Sequence, residues 1–151
     1  MIFNGFYRRW VASHCFLISI CRNKEIQTGW QVQLYFTITL HEKDKKLLEL
    51  IKTVLGVGKI NKQEENMFRW LRVSSRSDLK VILNHFDKYP MITQKQVDYL
   101  LFKQAYELME RKEHLTKQGL YKLVTIKASI NWGLSDELKA AFLTPSRKTF
   151  S

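Results

Sequence analysis

Acid is scarce in this chain, and so are cysteine, proline and long apolar runs. The 151 residues hold 14 Asp+Glu against 25 Lys+Arg, a formal net charge of +11. Two cysteines, Cys15 and Cys21, make no disulfide framework, and no further Cys or His stands near them at metal-ligand spacing. A secreted mini-protein and a structural zinc site are thereby excluded, and a reducing compartment is expected. No run reaches the roughly 18 apolar residues that span a bilayer, so no membrane partner is expected. With only 2 Pro and 6 Gly, nothing is collagenous or low in complexity. What is present is a 45% hydrophobic chain, enough for the core of one ordinary domain.

The excess of base gives the first functional direction. A surface so charged attracts polyanions, nucleic acid before acidic lipid. The excess is not evenly spread along the chain. Residues 1–14 hold Arg8, Arg9 and several aromatics but no acid, and the first acid is Glu25.

From Cys15 the pattern becomes regular. CFLISIC is β-rich, and WQVQLYFTITL alternates apolar Val32, Leu34, Phe36, Ile38 and Leu40 with Gln31, Gln33, Tyr35, Thr37 and Thr39. A period of two is that of a half-buried strand, and the polar stretch from Arg22 to Gly29 reads as its hairpin loop. Helical spacing follows, with Leu47, Leu48, Ile51, Val54 and Leu55 on one stripe, stopped by Gly56 and Gly58. KINKQ and MFRWLRVS form a second strand pair. Ser77 is the expected N-cap of a helix carrying Leu79, Ile82, Leu83 and Phe86. Thr93 and Gln96 have capping-box spacing ahead of a long helix with the stripe Val97, Leu100, Leu101, Ala105, Leu108 and Met109. Thr116 opens a further helix, Ser135 a short one from Asp136 to Phe142, and the tail 143–151 lacks periodicity and is expected to be mobile. The expected class is α+β: ββα–ββα followed by helices, over 15–142.

The polar strand faces carry the functional reading. Beside Gln31, Gln33, Tyr35, Thr37 and Thr39, the same parity gives Leu17, Ser19, Cys21 and Asn23. The second pair gives Lys59, Asn61, Gln63, Phe68, Trp70, Arg72 and Ser74. These are adaptable hydrogen bonders and cations rather than the Lys/Glu mixture of an ordinary wet sheet. Gln and Asn pair with adenine edges, Arg and Lys with guanine, and a β-ribbon fits the major groove. Exposed Trp70 and Tyr35 would equally stack on single-stranded RNA bases.

Several blocks, among them FTITLHEKDKKLLELIKTVLGVGKI, RVSSRSDLKVILNHFDKYPMITQK, DYLLFKQAYELMERKEHLTKQGL and IKASINWGLSDELKAAF, closely resemble the LAGLIDADG homing endonuclease family. The likeness is to the N-terminal half of two-motif enzymes encoded in mitochondrial introns. It implies an αββαββα half whose saddle-shaped antiparallel sheet lies on the DNA major groove, a second half packed through motif helices, and Mg²⁺ held by a carboxylate at each helix base. It also implies a mitochondrial location, and marks the sheet positions above as the DNA-facing ones.

The likeness breaks where the chemistry would sit. Ser13 stands in the place of the metal-binding acid, His14 in that of the small residue after it, and Arg8 in that of a helix-packing glycine. A neutral hydroxyl is a poor ligand for a hard cation. Residues 1–14 therefore read as a degenerate motif segment, and the abrupt loss of likeness before Cys15 and after Phe142 as a broken or fragmentary reading frame. The expected function is nucleic-acid binding without cleavage by this chain alone. The competing reading is an RNA-binding maturase or a structural protein of a mitochondrial ribonucleoprotein such as the ribosome. A second half on another chain, or a homodimer, would complete the interface.

Overall fold

A computed structural model describes residues 14–62, 68–92, 95–130 and 136–142. Within it the chain runs β1 (His14–Arg22), β2 (Trp30–His41), α1 (Lys45–Leu55), β3 (Lys59–Lys62), β4 (Phe68–Val73), α2 (Arg76–Lys88), α3 (Lys95–Glu110), α4 (Lys117–Ile130) and α5 (Asp136–Phe142). The four strands form one sheet in the order β1-β2-β4-β3, with β4 antiparallel to both its neighbours. This is the mixed helix-and-sheet class expected from the alternation. The segments 1–13 and 143–151, with Ser13, Arg8 and the tail, lie outside the described residues, as does Gln63.

Two compact units divide the chain: one takes it as far as Phe16 together with Leu34–Tyr99, the other Leu17–Gln33 together with the chain from Leu100. In the first unit the apolar members of β2 and β4 point to one side. Phe36, Ile38, Leu71 and Val73 are buried there, and α1 and α2 contribute Leu48, Ile51, Leu55, Leu79, Ile82, Leu83 and Phe86. The centre is aromatic: Phe16 lies 5.3 Å from Phe36 and 5.5 Å from Phe86, ring centre to ring centre. Buried Tyr99 joins them, its hydroxyl satisfied 2.8 Å from the Leu83 carbonyl and 2.6 Å from Asp87 Oδ1.

Local chemistry sets the element ends. Gly56, at φ 76°, takes the left-handed C-cap of α1, and its N–H bonds the Lys52 carbonyl at 2.8 Å. Gly58, at φ 106°, lets Leu71 close over the chain, since a Cβ there would lie 2.7 Å from Leu71 Cδ1. Three expectations need correction. Ser75, not Ser77, caps α2, accepting from Asp78 N at 3.2 Å. Val54 is 49% exposed, because at about 100° per residue it falls roughly a quarter-turn from the line through Leu48, Ile51 and Leu55. Val97 and Leu100 of α3 are also about half exposed; the buried residues of that helix are Tyr99, Phe102, Ala105, Tyr106, Leu108 and Met109, the last two and Ala105 as expected.

The second unit is built from the β1–β2 hairpin end and α3–α5. Its core holds Ile18, Ile20, Trp30, Val32, Phe102, Leu120, Leu123, Val124 and Leu138. Thr116 caps α4 as expected, its Oγ1 accepting from Gly119 N at 3.0 Å. Phe142 of α5 packs 5.7 Å from the Trp30 ring, and Arg22 of β1 pairs with Glu137. No helix among the described residues is long and apolar enough to cross a membrane.

Candidate nucleic-acid interface

Strand register decides which polar residues meet. Residues directly opposite in an antiparallel pair share a face. Thr37 is opposite Arg72, and Arg72 opposite Lys59, so these make one row across three strands. Thr39, Trp70 and Asn61 make the next row, and His41 with Phe68 a third position. All lie on the side away from Phe36, Ile38, Leu71 and Val73, as the period of two requires.

On this face, Arg72 lies against two rings. Its guanidinium carbon is 4.5 Å from the Trp70 ring centre and 4.9 Å from that of Tyr35. Each such contact contributes about 0.5–1 kcal/mol at an exposed site. Arg72, Lys59 and Asn61 are exposed, Tyr35, Thr39 and Trp70 half-buried. Thr37 is different. It is only 6% exposed, and its hydroxyl finds no hydrogen-bond partner. Ser74 follows the end of β4 and is exposed, and Phe68 is exposed against the His41 ring, 5.6 Å away.

Charge pairing separates the cations of β3 and β4. Glu42 accepts from Arg69 at 3.1 Å and lies 3.4 Å from Lys62. The Arg69 hydrogen bond, then the Lys62 charge, hold the Glu42 carboxyl below the ordinary carboxylate range. Lys62 and Arg69 are register partners, yet the sequence reading left them out because their parity assigns them to the inner face. Neither Lys59 nor Arg72 has an acidic partner among the described residues. Two like charges directly opposite on a sheet repel, and an anion laid over them would relieve it.

The candidates of the second unit are placed differently. Asn23 donates from Nδ2 to Gln31 Oε1 at 3.1 Å, and its Oδ1 accepts from Glu25 N at 2.9 Å, closing the hairpin turn. Ser19 Oγ and Cys21 Sγ lie 3.4 Å apart. Gln33 and Cys21 are exposed. Arg22 lies over the Trp30 ring at 4.8 Å. From α4, Lys127 donates to the Ile18 carbonyl at 2.6 Å, and burial lowers its pKa. That contact spans 109 positions of sequence, and no periodicity signals it.

Among the described residues, no group of three or more His, Cys, Asp or Glu is arranged to hold a metal ion. At the position where the resemblance places the metal-binding acid the chain offers Ser13. A neutral hydroxyl does not fit Mg²⁺, which is bound through carboxylates and water.

Comparison with known proteins points one way. Residues 12–106 match the family described as LAGLIDADG endonuclease. The chain is 44% identical over 128 residues, 84% of its length, to "Probable intron-encoded endonuclease 3" of Neurospora crassa, and spans 24% of that protein. It is 44% identical over 108 residues, 70% of its length, to an "Uncharacterized 50.9 kDa protein in ND4 intron 1" of Podospora anserina, again spanning 24% of that protein. Among solved structures, the LAGLIDADG meganuclease I-CpaMI bound to uncleaved DNA is similar at 44% identity and a TM-score of 0.85, over 99% of this chain and 48% of that one. The chain thus spans about a quarter of the length of these curated relatives and about half of that meganuclease.

Proposed function

The chain belongs to the LAGLIDADG endonuclease family, and on that premise we propose that it binds double-stranded DNA through the polar face of its sheet. The observation that carries this reading is the register row Thr37–Arg72–Lys59 beside Thr39–Trp70–Asn61. It sets two cations without acidic partners among the described residues beside three hydrogen-bonding or stacking side chains, Thr39, Trp70 and Asn61, on one face. A β-sheet of this kind fits the major groove, where base edges present their donors and acceptors. The related meganuclease I-CpaMI, of which this chain matches about half, was solved bound to DNA. A second half-domain, on another chain or a second copy, is the proposed partner that completes the interface.

The finer parts of this proposal rest on the sequence. Cleavage by this chain alone is not expected, because Ser13 occupies the place of the metal-binding acid. A mitochondrial setting is proposed from the relative in an ND4 intron.

The test is fluorescence anisotropy of the purified chain on labelled duplex DNA, with single-stranded DNA and structured RNA as competitors. Duplex binding that weakens by orders of magnitude, roughly 10³-fold between 50 and 200 mM salt for several phosphate contacts, supports the reading. A flat salt dependence, or a clear preference for RNA, rejects it. Incubation of the same duplexes with Mg²⁺ checks the second claim, which fails if a defined site is cut by this chain on its own.

A further inference from the structure

Arg72 differs from every other cation on the described sheet. Arg69 and Lys62 are held by Glu42, Arg22 by Glu137, and Lys59 stands on an edge strand with no ring stacked on it among the described residues. Arg72 alone lies on a central strand against two aromatic rings, 4.5 Å from one and 4.9 Å from the other. Contact with two rings holds the guanidinium in place, and its planar fork of N–H donors is not taken up by a carboxylate among the described residues. That fork matches two acceptors side by side, and in the major groove only guanine offers such a pair, at O6 and N7. Phosphate contact needs no such ordering, since a flexible Lys serves it as well. The rings also remove rotamer freedom before binding, so less is lost when the contact forms. Thr37, the register partner of Arg72, is buried on the same face while Arg72 is exposed.

We infer that Arg72 is a specificity-determining residue that reads one guanine, and that Tyr35 and Trp70 are positioning residues that hold its fork for that base. This rests on the duplex-binding reading above and adds to it a base preference at one position.

The experiment selects bound duplexes from a randomised pool with the full chain, then repeats the selection with Arg72→Gln, Arg72→Lys and Trp70→Ala. Arg72 is exposed, so its variants keep the fold, and thermal melts check this. The native chain should prefer guanine at one position by roughly five- to a hundredfold over other bases. Arg72→Gln should move that one position toward adenine, which Gln reads through N6 and N7, with the other positions unchanged. Arg72→Lys should keep the salt slope and lose most of the preference. Trp70→Ala should weaken the preference while leaving the slope as it was.

Two results overturn the inference alone: bound duplexes with no guanine preference, or an Arg72→Gln variant whose profile is unchanged while its affinity falls uniformly and its salt slope drops by about one. The latter makes Arg72 a phosphate contact. A pool from which no duplex is retained overturns the duplex-binding reading and this inference together.

Discussion

The two units use the same alternating strand pattern to different ends. In the first, the polar residues of β2, β3 and β4 stand in rows with Arg72 and Lys59 lacking acidic partners among the described residues. In the second, the polar residues of the hairpin are engaged with one another or with a helix: Asn23 with Gln31 and Glu25, Arg22 with Glu137 and Trp30. Alternation marks the face of a strand, but not whether its polar groups are available to a ligand. Hydrogen-bond partners decide that. The proposed recognition surface lies on the first unit, and the second holds its hairpin in place.

Breaking the scaffold beneath the recognition surface should give the largest effect. Phe86 is fully buried among Phe16, Phe36 and Tyr99. Truncation to Ala should destabilise the chain by about 3–5 kcal/mol, measured by urea unfolding. Ile51→Ala, in the same core, should cost about 2–5 kcal/mol. Either change at wild-type stability would mean that the sheet is not held over α1 and α2.

Next comes the turn that opens α4 in the second unit. A Cβ on Gly119 would lie 1.9 Å from the Glu113 carbonyl oxygen, a backbone atom that cannot simply step aside. Gly119→Ala should therefore cost about 1–3 kcal/mol or more through overpacking. Duplex affinity of the folded fraction should stay close to that of the parent.

A smaller effect sharpens the comparison from the other side. Asn23→Ala removes the hydrogen bonds to Gln31 and Glu25, and should cost about 1 kcal/mol of stability. Its effect on duplex affinity should be less than that of Arg72→Ala. If Asn23→Ala weakens DNA binding more than Arg72→Ala does, the division between the units is drawn in the wrong place.

The smallest effect expected is on pH. Burial, with the nearby Lys88 charge adding to it, lowers the pKa of His85 from its ordinary value of 6.5. The unfolded chain then binds that proton more readily than the folded one. Stability from this group is complete above pH 6.5 and declines as pH falls through 6.5 toward the lower folded value. Urea midpoints between pH 7.5 and 5 should show the decline, and His85→Gln should flatten it.

Much of this fold was legible because its elements are amphipathic in the simplest way. The β2 pattern from Val32 to Leu40 assigned its core side correctly, as did Leu48, Ile51 and Leu55 on α1. Of the α3 stripe, Ala105, Leu108 and Met109 are buried as expected while Val97 and Leu100 are not, because the helix carries apolar residues on two sides. Period alone could not choose between Val97 and Leu100 on one and Tyr99 and Phe102 on the other. The two sides differ in aromatic content, and the aromatic side is the buried one. At the interface, parity placed Thr39, Trp70, Arg72, Lys59 and Asn61 on one face, and the register joins them there. The Arg72 stack was not legible, since it depends on Tyr35 of a neighbouring strand at a diagonal offset. Nor was the burial of Thr37, since strand parity places it on the same face as exposed Arg72.

The most direct measurement compares duplex affinity, at two salt concentrations, of Lys59→Ala/Arg72→Ala with that of Asn23→Ala/Gln31→Ala. The first pair should weaken binding by about tenfold or more and lower the salt slope, through the loss of two cations that face DNA. The second pair should bind nearly as the parent does, with its loss seen in thermal stability instead. Equal losses of affinity from both pairs, or a greater loss from the second, would contradict the assignment of recognition to the first unit.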